Sequence, residues 1–166
     1  MKRIRLVLLD VDGVLTTGGI AYTGSELETK VFNVKDGLGI RLLMRAGIGV
    51  GIVTGRRSAA LDRRCSELGI KLMFDGVSDK GAVLAQVLSA TGLSVDEVAF
   101  MGDDLPDIPL LRKVGFGVAV ADAAEQVKHA ADIVTEKNGG CGAVRELSES
   151  ILRAKGVWDE LIAVWD

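Results

Sequence analysis

The sequence predicts an α/β fold of three layers, in which helices cover both faces of a mostly parallel sheet. Short apolar runs alternate with stretches of helical periodicity, an order typical of parallel sheets that are buried on both faces. A glycine directly follows three of the helical stretches, where a left-handed residue ends a helix. Hydrophobic residues make up 48% of the 166 residues and charged residues 26%, which suits one domain over residues 1–166.

The predicted strands are short and apolar, and the helices lie between them. We predict strands at Ile4–Leu9, Ile48–Val53, Leu72–Phe74, Val98–Met101, Val118–Val120 and Ile133–Val134. We predict helices at Asp36–Ala46, Ser58–Leu68, Lys80–Thr91, Pro106–Val114, Ala123–Ala130 and Ala143–Ala154. The three glycines expected to end helices are Gly47, Gly69 and Gly92.

Two segments fall outside this alternation. Residues 16–35 fit no strand of the main sheet, and the pattern of Ile20–Tyr22 and Glu28–Val34 around Thr23-Gly24-Ser25 predicts a β-hairpin flap. Residues 156–166 form a tail that holds both tryptophans and an apolar helical stripe. This tail either packs on the core of its own chain or docks on a neighbouring subunit near its active site.

Composition and charge exclude several classes of partner. A net charge of −3 and a pI of about 5.3 give no overall attraction to nucleic acid or anionic lipid. No apolar stretch is long enough to cross a membrane, and the first apolar run is too short for a secretion signal. Cys65 and Cys141 lack metal-ligand spacing, as expected for reduced cysteines. We therefore expect a cytoplasmic protein whose partner is a small anionic molecule.

Polar residues gather where the predicted parallel strands end, which is where such sheets bind ligands. These residues are Asp10, Asp12, Thr54, Gly55, Arg56, Lys80, Asp103, Asp104 and Asp107. Carboxylates as close as Asp10 and Asp12 repel each other, and Mg²⁺, which prefers carboxylate and phosphate oxygens, would balance them. Together with a lysine and a threonine that hold phosphate, the set predicts phosphoryl transfer, with one aspartate attacking phosphorus and the other protonating the leaving oxygen.

Four ordered segments resemble the motifs of the haloacid dehalogenase-like superfamily: residues 10–16 (DVDGVLT), residues 54–56 (TGR), Lys80 and residues 102–104 (GDD). The whole chain resembles its capless subfamily of 3-deoxy-D-manno-octulosonate 8-phosphate (KDO 8-phosphate) phosphatases, through residues 32–37 (FNVKDG), 102–107 (GDDLPD) and 139–146 (GGCGAVRE). The resemblance implies an α/β/α core without a cap domain, Mg²⁺ as cofactor and hydrolysis of a sugar-acid phosphate. It also implies a homotetramer, and we expect neighbouring subunits to cover the active site.

The same resemblance implies roles for the acidic residues. Asp10 would form an aspartyl-phosphate, while Asp12 would protonate the leaving sugar oxygen and then activate water. Mg²⁺ would bind the carboxylates of Asp10 and Asp103 and the backbone carbonyl of Asp12. Asp104 and Asp107 would orient the metal ligands or the metal-bound waters from behind.

On the substrate side, the resemblance implies that Thr54 and Lys80 grip the phosphate. The other residues expected to line this side are Asn33, Val34, Lys35, Asp36, Gly37, Arg41, Gly55, Arg56 and Arg64. Arg56 and Arg64 suit a sugar carboxylate, because a guanidinium binds a carboxylate through two hydrogen bonds. Simpler roles remain open for three of them: Asp36 as a helix cap, and Arg41 and Arg64 on solvated helix faces.

Three other functions remain open from the sequence. A phosphatase for 2-keto-3-deoxynononate 9-phosphate resembles the same chain, although such proteins tend to carry Glu at the position of Arg56. Receiver-type phospho-acceptor domains also combine aspartates, Mg²⁺, a threonine and a lysine, but their phosphorylated aspartate follows the third strand. A catalytically silent regulatory domain is the third alternative, and it is disfavoured because every expected catalytic position is filled.

Overall fold

The computed structural model describes residues 1–23 and 27–165 and contains a six-stranded parallel sheet flanked by helices. The strands of this sheet are β1 (Leu6–Leu9), β4 (Gly49–Val53), β5 (Leu72–Phe74), β6 (Val98–Gly102), β7 (Phe116–Ala119) and β8 (Ile133–Val134). They lie in the order β5-β4-β1-β6-β7-β8. Every neighbouring pair is parallel, so the predicted α/β fold is confirmed. The central strand, β1, is buried along its whole length, as the apolar run predicts.

The helices match the predicted positions to within two residues, with one exception. They are α1 (Val34–Arg45), α2 (Ala59–Leu68), α3 (Lys80–Thr91), α5 (Glu125–Ala130) and α6 (Ala143–Lys155). The exception is the predicted helix Pro106–Val114, which is wrong in extent. The chain forms a 3₁₀ turn at Leu105–Asp107 and then a short helix, α4 (Ile108–Leu111). In a continuous helix from Pro106, residue 109 would donate its N–H to the carbonyl of Leu105, and Pro109 has no N–H to donate.

The predicted helix ends are confirmed by backbone geometry. Gly47, Gly69 and Gly92 have φ angles of +76°, +81° and +68°, the left-handed conformation that glycine adopts without strain. At the start of α1, the Asn33 side chain accepts a hydrogen bond from the backbone of Lys35 at 2.8 Å. Asn33 is therefore the N-cap of α1.

The predicted flap is present as a two-stranded antiparallel hairpin of β2 (Ala21–Thr23) and β3 (Leu27–Thr29). Its second strand is shorter than the predicted Glu28–Val34, because Asn33 caps α1 and Val34 already belongs to that helix. The predicted turn residues Gly24 and Ser25 lie outside the described residues. Within the described ranges, this hairpin is the insertion between β1 and α1, and no cap domain is present there.

The start of the tail packs on its own chain. Trp158, at the start of α7 (Trp158–Ile162), is 6% exposed. The guanidinium groups of Arg145 and Arg153 lie 5.5 and 4.7 Å from its ring centre. For Trp158, these contacts favour packing of the tail on its own chain over docking on a neighbouring subunit. Val164, near the end of the tail, is exposed. None of the helices in the described ranges combines the length and the apolar character that a membrane span requires.

Candidate active site

A cavity of about 460 Å³ opens at the carboxyl ends of β1, β4 and β6. It brings together the nine residues expected near the strand ends, eight polar residues and one glycine: Asp10, Asp12, Thr54, Gly55, Arg56, Lys80, Asp103, Asp104 and Asp107. The remaining lining residues, which the sequence analysis did not select, are Gly18, Val77, Ser78 and Pro106. The position of the cavity follows from the topology, because β1 lies between β4 and β6 in the sheet.

The loop after β1 is a tight turn that presents Asp10 and Asp12. The backbone N–H of Asp10 still bonds to the β6 carbonyl of Met101 at 3.0 Å, so Asp10 continues the sheet. The chain then turns at Gly13, whose φ is +92°. A Cβ atom at Gly13 would lie 2.0 Å from Asp103 Oδ2, a distance so short that the two atoms would clash. Glycine is therefore required both for the turn and for the close approach of Asp103.

Lys80 lies at the centre of the acidic cluster. It begins α3, is 6% exposed, and its Nζ lies 2.8 Å from Asp10 Oδ1 and 2.5 Å from Asp107 Oδ1. Burial opposes the charge of Lys80, but the two carboxylates outweigh it and raise the pKa of Lys80. The lysine therefore stays protonated and offsets part of the negative charge of the cluster.

One lysine does not balance three carboxylates. Oxygen atoms of Asp10, Asp103 and Asp107 lie within 4.8 Å of one another. Burial, followed by the charge of Asp107, raises the pKa of Asp10 to about 6. Burial, followed by the charges of Asp10 and Asp107, raises the pKa of Asp103 to about 8. Near neutral pH, a further cation is therefore needed for these carboxylates to be ionised together.

The donor set fits Mg²⁺. Asp103 Oδ1 is buried and accepts no hydrogen bond from the residues that the structure describes. A hard divalent cation takes such carboxylate oxygens as ligands, and Asp10 and Asp103 would supply them. Asp12 is not part of this cluster of oxygen atoms, and its expected role in proton transfer stays a prediction.

Asp107 accepts hydrogen bonds from the Lys80 side chain and from the backbone of the loop that carries Asp103. Its Oδ2 accepts hydrogen bonds from the backbone N–H groups of Asp103 at 2.8 Å and Asp104 at 3.2 Å. Gly102 makes this possible, since a Cβ atom there would lie 2.6 Å from the Asp107 side chain. Asp107 therefore fixes both Lys80 and the loop that carries Asp103. Its expected role in orienting the metal ligands stays a prediction.

Thr54 directly follows β4 and lines the cavity. It is 2% exposed, and its Oγ1 accepts a hydrogen bond from the backbone N–H of Arg56 at 3.3 Å. Backbone bonds to Phe74 and Val77 hold the same residue against β5 and the loop that follows it. The hydroxyl and the neighbouring backbone thus form a fixed wall beside Lys80, suited to holding phosphate oxygens.

Two charged residues of the flap, Glu28 and Lys30, contact residues of the site, and the sequence did not lead us to expect them there. Lys30 contacts Asp12 Oδ1 and lies 2.6 Å from Glu28 Oε1, and its side chain is 2% exposed. Glu28 Oε2 lies 3.2 Å from Arg56 Nη2, and Arg56 Nε lies 3.6 Å from Asp12 Oδ2. The sequence contained a signal for this ion pair. Residues two apart in an extended chain share a face, and Glu28 and Lys30 carry opposite charges.

Asp36 does not line the cavity, and its expected place on the substrate side stays a prediction. It is 1% exposed, and its carboxylate accepts the backbone N–H groups of Gly142 at 3.2 Å and Arg145 at 2.8 Å. These groups belong to the N-terminus of α6, whose free donors and dipole favour a carboxylate. Burial raises the pKa of Asp36, although the backbone N–H groups of Arg145, Gly142 and Val144 oppose it. Asp36 therefore caps a helix, but a different one from the helix that contains it.

Gly55 and Arg56 line the cavity, whereas six other residues expected on the substrate side lie away from it in the described chain. Val34, Gly37, Arg41 and Arg64 line a separate depression of about 200 Å³ between α1 and α2. Asn33 donates to the carbonyl of Gly140 at 3.2 Å, and Lys35 is exposed on α1. For these six residues the role implied by the resemblance remains a prediction.

The glycine-rich segment before α6 supports the loop that carries Asp10 and Asp12. A Cβ atom at Gly139 would lie 1.6 Å from the carbonyl oxygen of Gly13, and one at Gly140 would lie 2.4 Å from the backbone of Thr16. The N–H of Gly140 also bonds to the carbonyl of Val14 at 2.8 Å. Bare backbone is needed here because two loops pack directly against each other.

Comparison with known proteins shows the family of the chain. The family model described as haloacid dehalogenase-like hydrolase matches residues 70–147. The 3-deoxy-D-manno-octulosonate 8-phosphate phosphatase KdsC of Escherichia coli K12 is 44% identical over 159 residues, 96% of this chain and 85% of that protein.

Solved structures agree. The Moraxella catarrhalis 3-deoxy-D-manno-octulosonate 8-phosphate phosphatase, in complex with magnesium ion, phosphate ion and KDO, has a TM-score of 0.97 at 44% identity over 99% of this chain and 95% of that chain. The cobalt-bound Haemophilus influenzae phosphatase has a TM-score of 0.94 at 41% identity over 99% and 96%. The chain belongs to the KDO 8-phosphate phosphatase family of the haloacid dehalogenase-like hydrolases.

Proposed function

We propose that this protein is a Mg²⁺-dependent phosphatase that hydrolyses KDO 8-phosphate to KDO and phosphate. The observation that carries the proposal is the cluster of Asp10, Lys80, Asp103 and Asp107 at the carboxyl edge of the sheet, with Asp12 beside it. Bound Mg²⁺ would neutralise charge on the phosphate and on the carboxylates that hold it. The residues of the chain perform the remaining steps.

In the first step Asp10 attacks the phosphorus atom. Lys80 lies 2.8 Å from Asp10 Oδ1, and it would orient the nucleophile and attract the phosphate oxygens. Thr54 would donate its hydroxyl proton to a phosphate oxygen. The bond from phosphorus to the sugar oxygen breaks, and Asp12 donates a proton to that oxygen, so that an aspartyl-phosphate and free KDO result.

In the second step water clears the aspartyl-phosphate. Asp12, now ionised, takes a proton from the water as it attacks phosphorus. The bond between phosphorus and Asp10 breaks, and phosphate leaves. Both steps use the same arrangement of Asp10 and Asp12, which explains why the two residues follow a single strand with one residue between them.

Arg56 is the residue of the cavity best suited to the sugar carboxylate. Its side chain is 43% exposed at the cavity wall, and Glu28 holds one of its nitrogen atoms. Guanidinium groups bind carboxylates through two hydrogen bonds. This residue also favours KDO 8-phosphate over 2-keto-3-deoxynononate 9-phosphate, whose phosphatases tend to carry Glu at this position.

The assembly we propose is a homotetramer in which neighbouring subunits cover the cavity. Support comes from the apolar side chains exposed on the flap and beside it, namely Ile20, Tyr22, Val31 and Val34. A strictly monomeric enzyme with full activity at nanomolar concentration would contradict this proposal. We place the protein in the cytoplasm, since Cys65 and Cys141 are both free cysteines.

The experiment that tests the function is phosphate release from KDO 8-phosphate, with and without Mg²⁺, in competition with 2-keto-3-deoxynononate 9-phosphate and simple sugar phosphates. Asp10→Asn and Asp12→Asn should each abolish turnover. Asp62→Asn, which changes an exposed carboxylate on α2, should not. Turnover by either of the first two variants at a near-normal rate would refute the assigned roles. A single phosphorylation without multiple turnover would indicate a phospho-acceptor domain.

A further inference from the structure

Lys30 carries a charge in a buried position, yet it is not among the described residues that line the cavity around Asp10. Its side chain is 2% exposed, and its ammonium group contacts Asp12 and Glu28. An ammonium group loses its hydration when it is buried, so partners of opposite charge are needed. Lys30 therefore joins the flap to the loop that presents Asp12.

We propose that Lys30 is a positioning residue for the reaction: it holds the Asp12 carboxylate in the orientation from which the proton reaches the leaving oxygen. The inference rests on the proposed function, in which Asp12 is the acid. Lys30 contacts Oδ1 of Asp12. Oδ2 makes no hydrogen bond with any described residue, and Arg56 Nε lies 3.6 Å from it. Lys30 therefore holds Oδ1 of Asp12, and Oδ2 is available to carry the proton.

Glu28 keeps Lys30 in place. It lies 2.6 Å from Lys30 and 3.2 Å from Arg56, and the hydrogen bond from Lys30 is the main cause that lowers the pKa of Glu28. The group contains two cations and two carboxylates, so its charges balance. Because Glu28 binds Lys30 independently of Asp12, Lys30 stays anchored while Asp12 exchanges its proton. Without Lys30, the cation that remains beside Asp12 is Arg56, and the carboxylate would turn toward it.

The chemistry predicts which substrates depend on this contact. When Asp10 attacks, the bond between phosphorus and the leaving oxygen breaks and its electron pair passes to that oxygen. A poor leaving group needs the Asp12 proton at this point, whereas p-nitrophenolate is stable as an anion and leaves without it. A misplaced Asp12 should therefore slow the cleavage of poor leaving groups selectively.

The test compares kcat/KM for phenyl phosphate and p-nitrophenyl phosphate, two substrates of nearly equal shape. With Lys30→Met we expect a loss of about 100-fold for phenyl phosphate and of no more than about 3-fold for p-nitrophenyl phosphate. Lys30→Arg should recover most of the loss, because it restores the charge. Lys71→Met removes an exposed lysine and is the matched control, with both rates unchanged.

Equal losses on both substrates, or no loss on either, would overturn the proposal, and so would a wild type inactive toward both. Should Lys30→Met fail to fold, the double variant Glu28→Gln/Lys30→Met removes both charges of the buried pair, and the same selective loss is expected. Neither substrate contains a sugar acid. A wild type that cleaves both aryl phosphates but not KDO 8-phosphate would therefore refute the proposed substrate and leave the result on Lys30 standing.

Discussion

Binding of Mg²⁺ should release about one proton per active site at pH 7. The pKa of Asp103 is raised to about 8 and that of Asp10 to about 6 in the absence of metal. At pH 7 the first group is then about nine-tenths protonated and the second about one-tenth, so a cation that ionises both displaces about one proton. Nearly all of it comes from Asp103.

Calorimetry measures this number directly. The apparent enthalpy of Mg²⁺ binding, measured at pH 7 in buffers of different ionisation enthalpy, changes in proportion to the protons released. The slope of the apparent binding enthalpy against the ionisation enthalpy of the buffer gives the number of protons released. This slope should be about one at pH 7 and fall toward zero at pH 9, where Asp103 is already ionised. Asp62→Asn, remote from the cluster, should give the same slope as the wild type. A slope of zero at pH 7 would refute the reasoning, because the carboxylates would then be ionised without the metal.

The same pKa values fix the sign of a stability effect. Asp10 and Asp103 hold their protons to higher pH in the fold than in the unfolded chain, where each has a pKa of 3.8. Without metal, these groups therefore reduce stability as pH rises from about 4 to about 8. Mg²⁺ removes that loss, so the increase in Tm on adding Mg²⁺ should be larger at pH 8 than at pH 5. An increase that is equal at both pH values, or larger at pH 5, would contradict the linkage.

Three further variants test other parts of the site. Gly13→Ala places a methyl group 2.0 Å from Asp103 Oδ2 at a φ of +92°, so it should weaken Mg²⁺ binding at least about tenfold by calorimetry; unchanged affinity would show that Asp103 need not approach the loop. Asp36→Ala leaves the start of α6 without its cap and should lower the free energy of unfolding by about 2 kcal/mol in urea, whereas Asp62→Ala should not. Arg56→Ala should reduce kcat/KM for KDO 8-phosphate at least about tenfold more than for p-nitrophenyl phosphate; equal losses would exclude carboxylate recognition.

Local patterns in the sequence were enough to predict the sheet and most of the cavity. The apolar run before Asp10 predicts β1, and the matching runs before Thr54 and Asp103 predict β4 and β6. Parallel strands align their carboxyl ends, so residues far apart in sequence are expected at one edge without any knowledge of packing. The predicted helix Pro106–Val114 is wrong in extent, because hydrophobic periodicity does not register the backbone N–H that Pro109 lacks.

Contacts between distant segments were decided only by the tertiary structure. Asp36 caps α6 although more than a hundred residues separate it from Arg145, and Lys80 pairs with Asp107 as well as with Asp10. Lys30 reaches Asp12 only because the flap folds back over the loop.

The physical reason for this division is that strand ends depend on nearby residues in the sequence, whereas charge partners depend on segments far apart in the sequence. The chain alone determined which residues lie at strand ends, since hydrophobic periodicity and glycine positions act over a few residues. Which charges become partners depends on burial and on distances of a few ångströms between segments far apart in sequence, and folding alone establishes these. The sequence therefore determined the positions of the acids, and the fold decided which basic groups hold them.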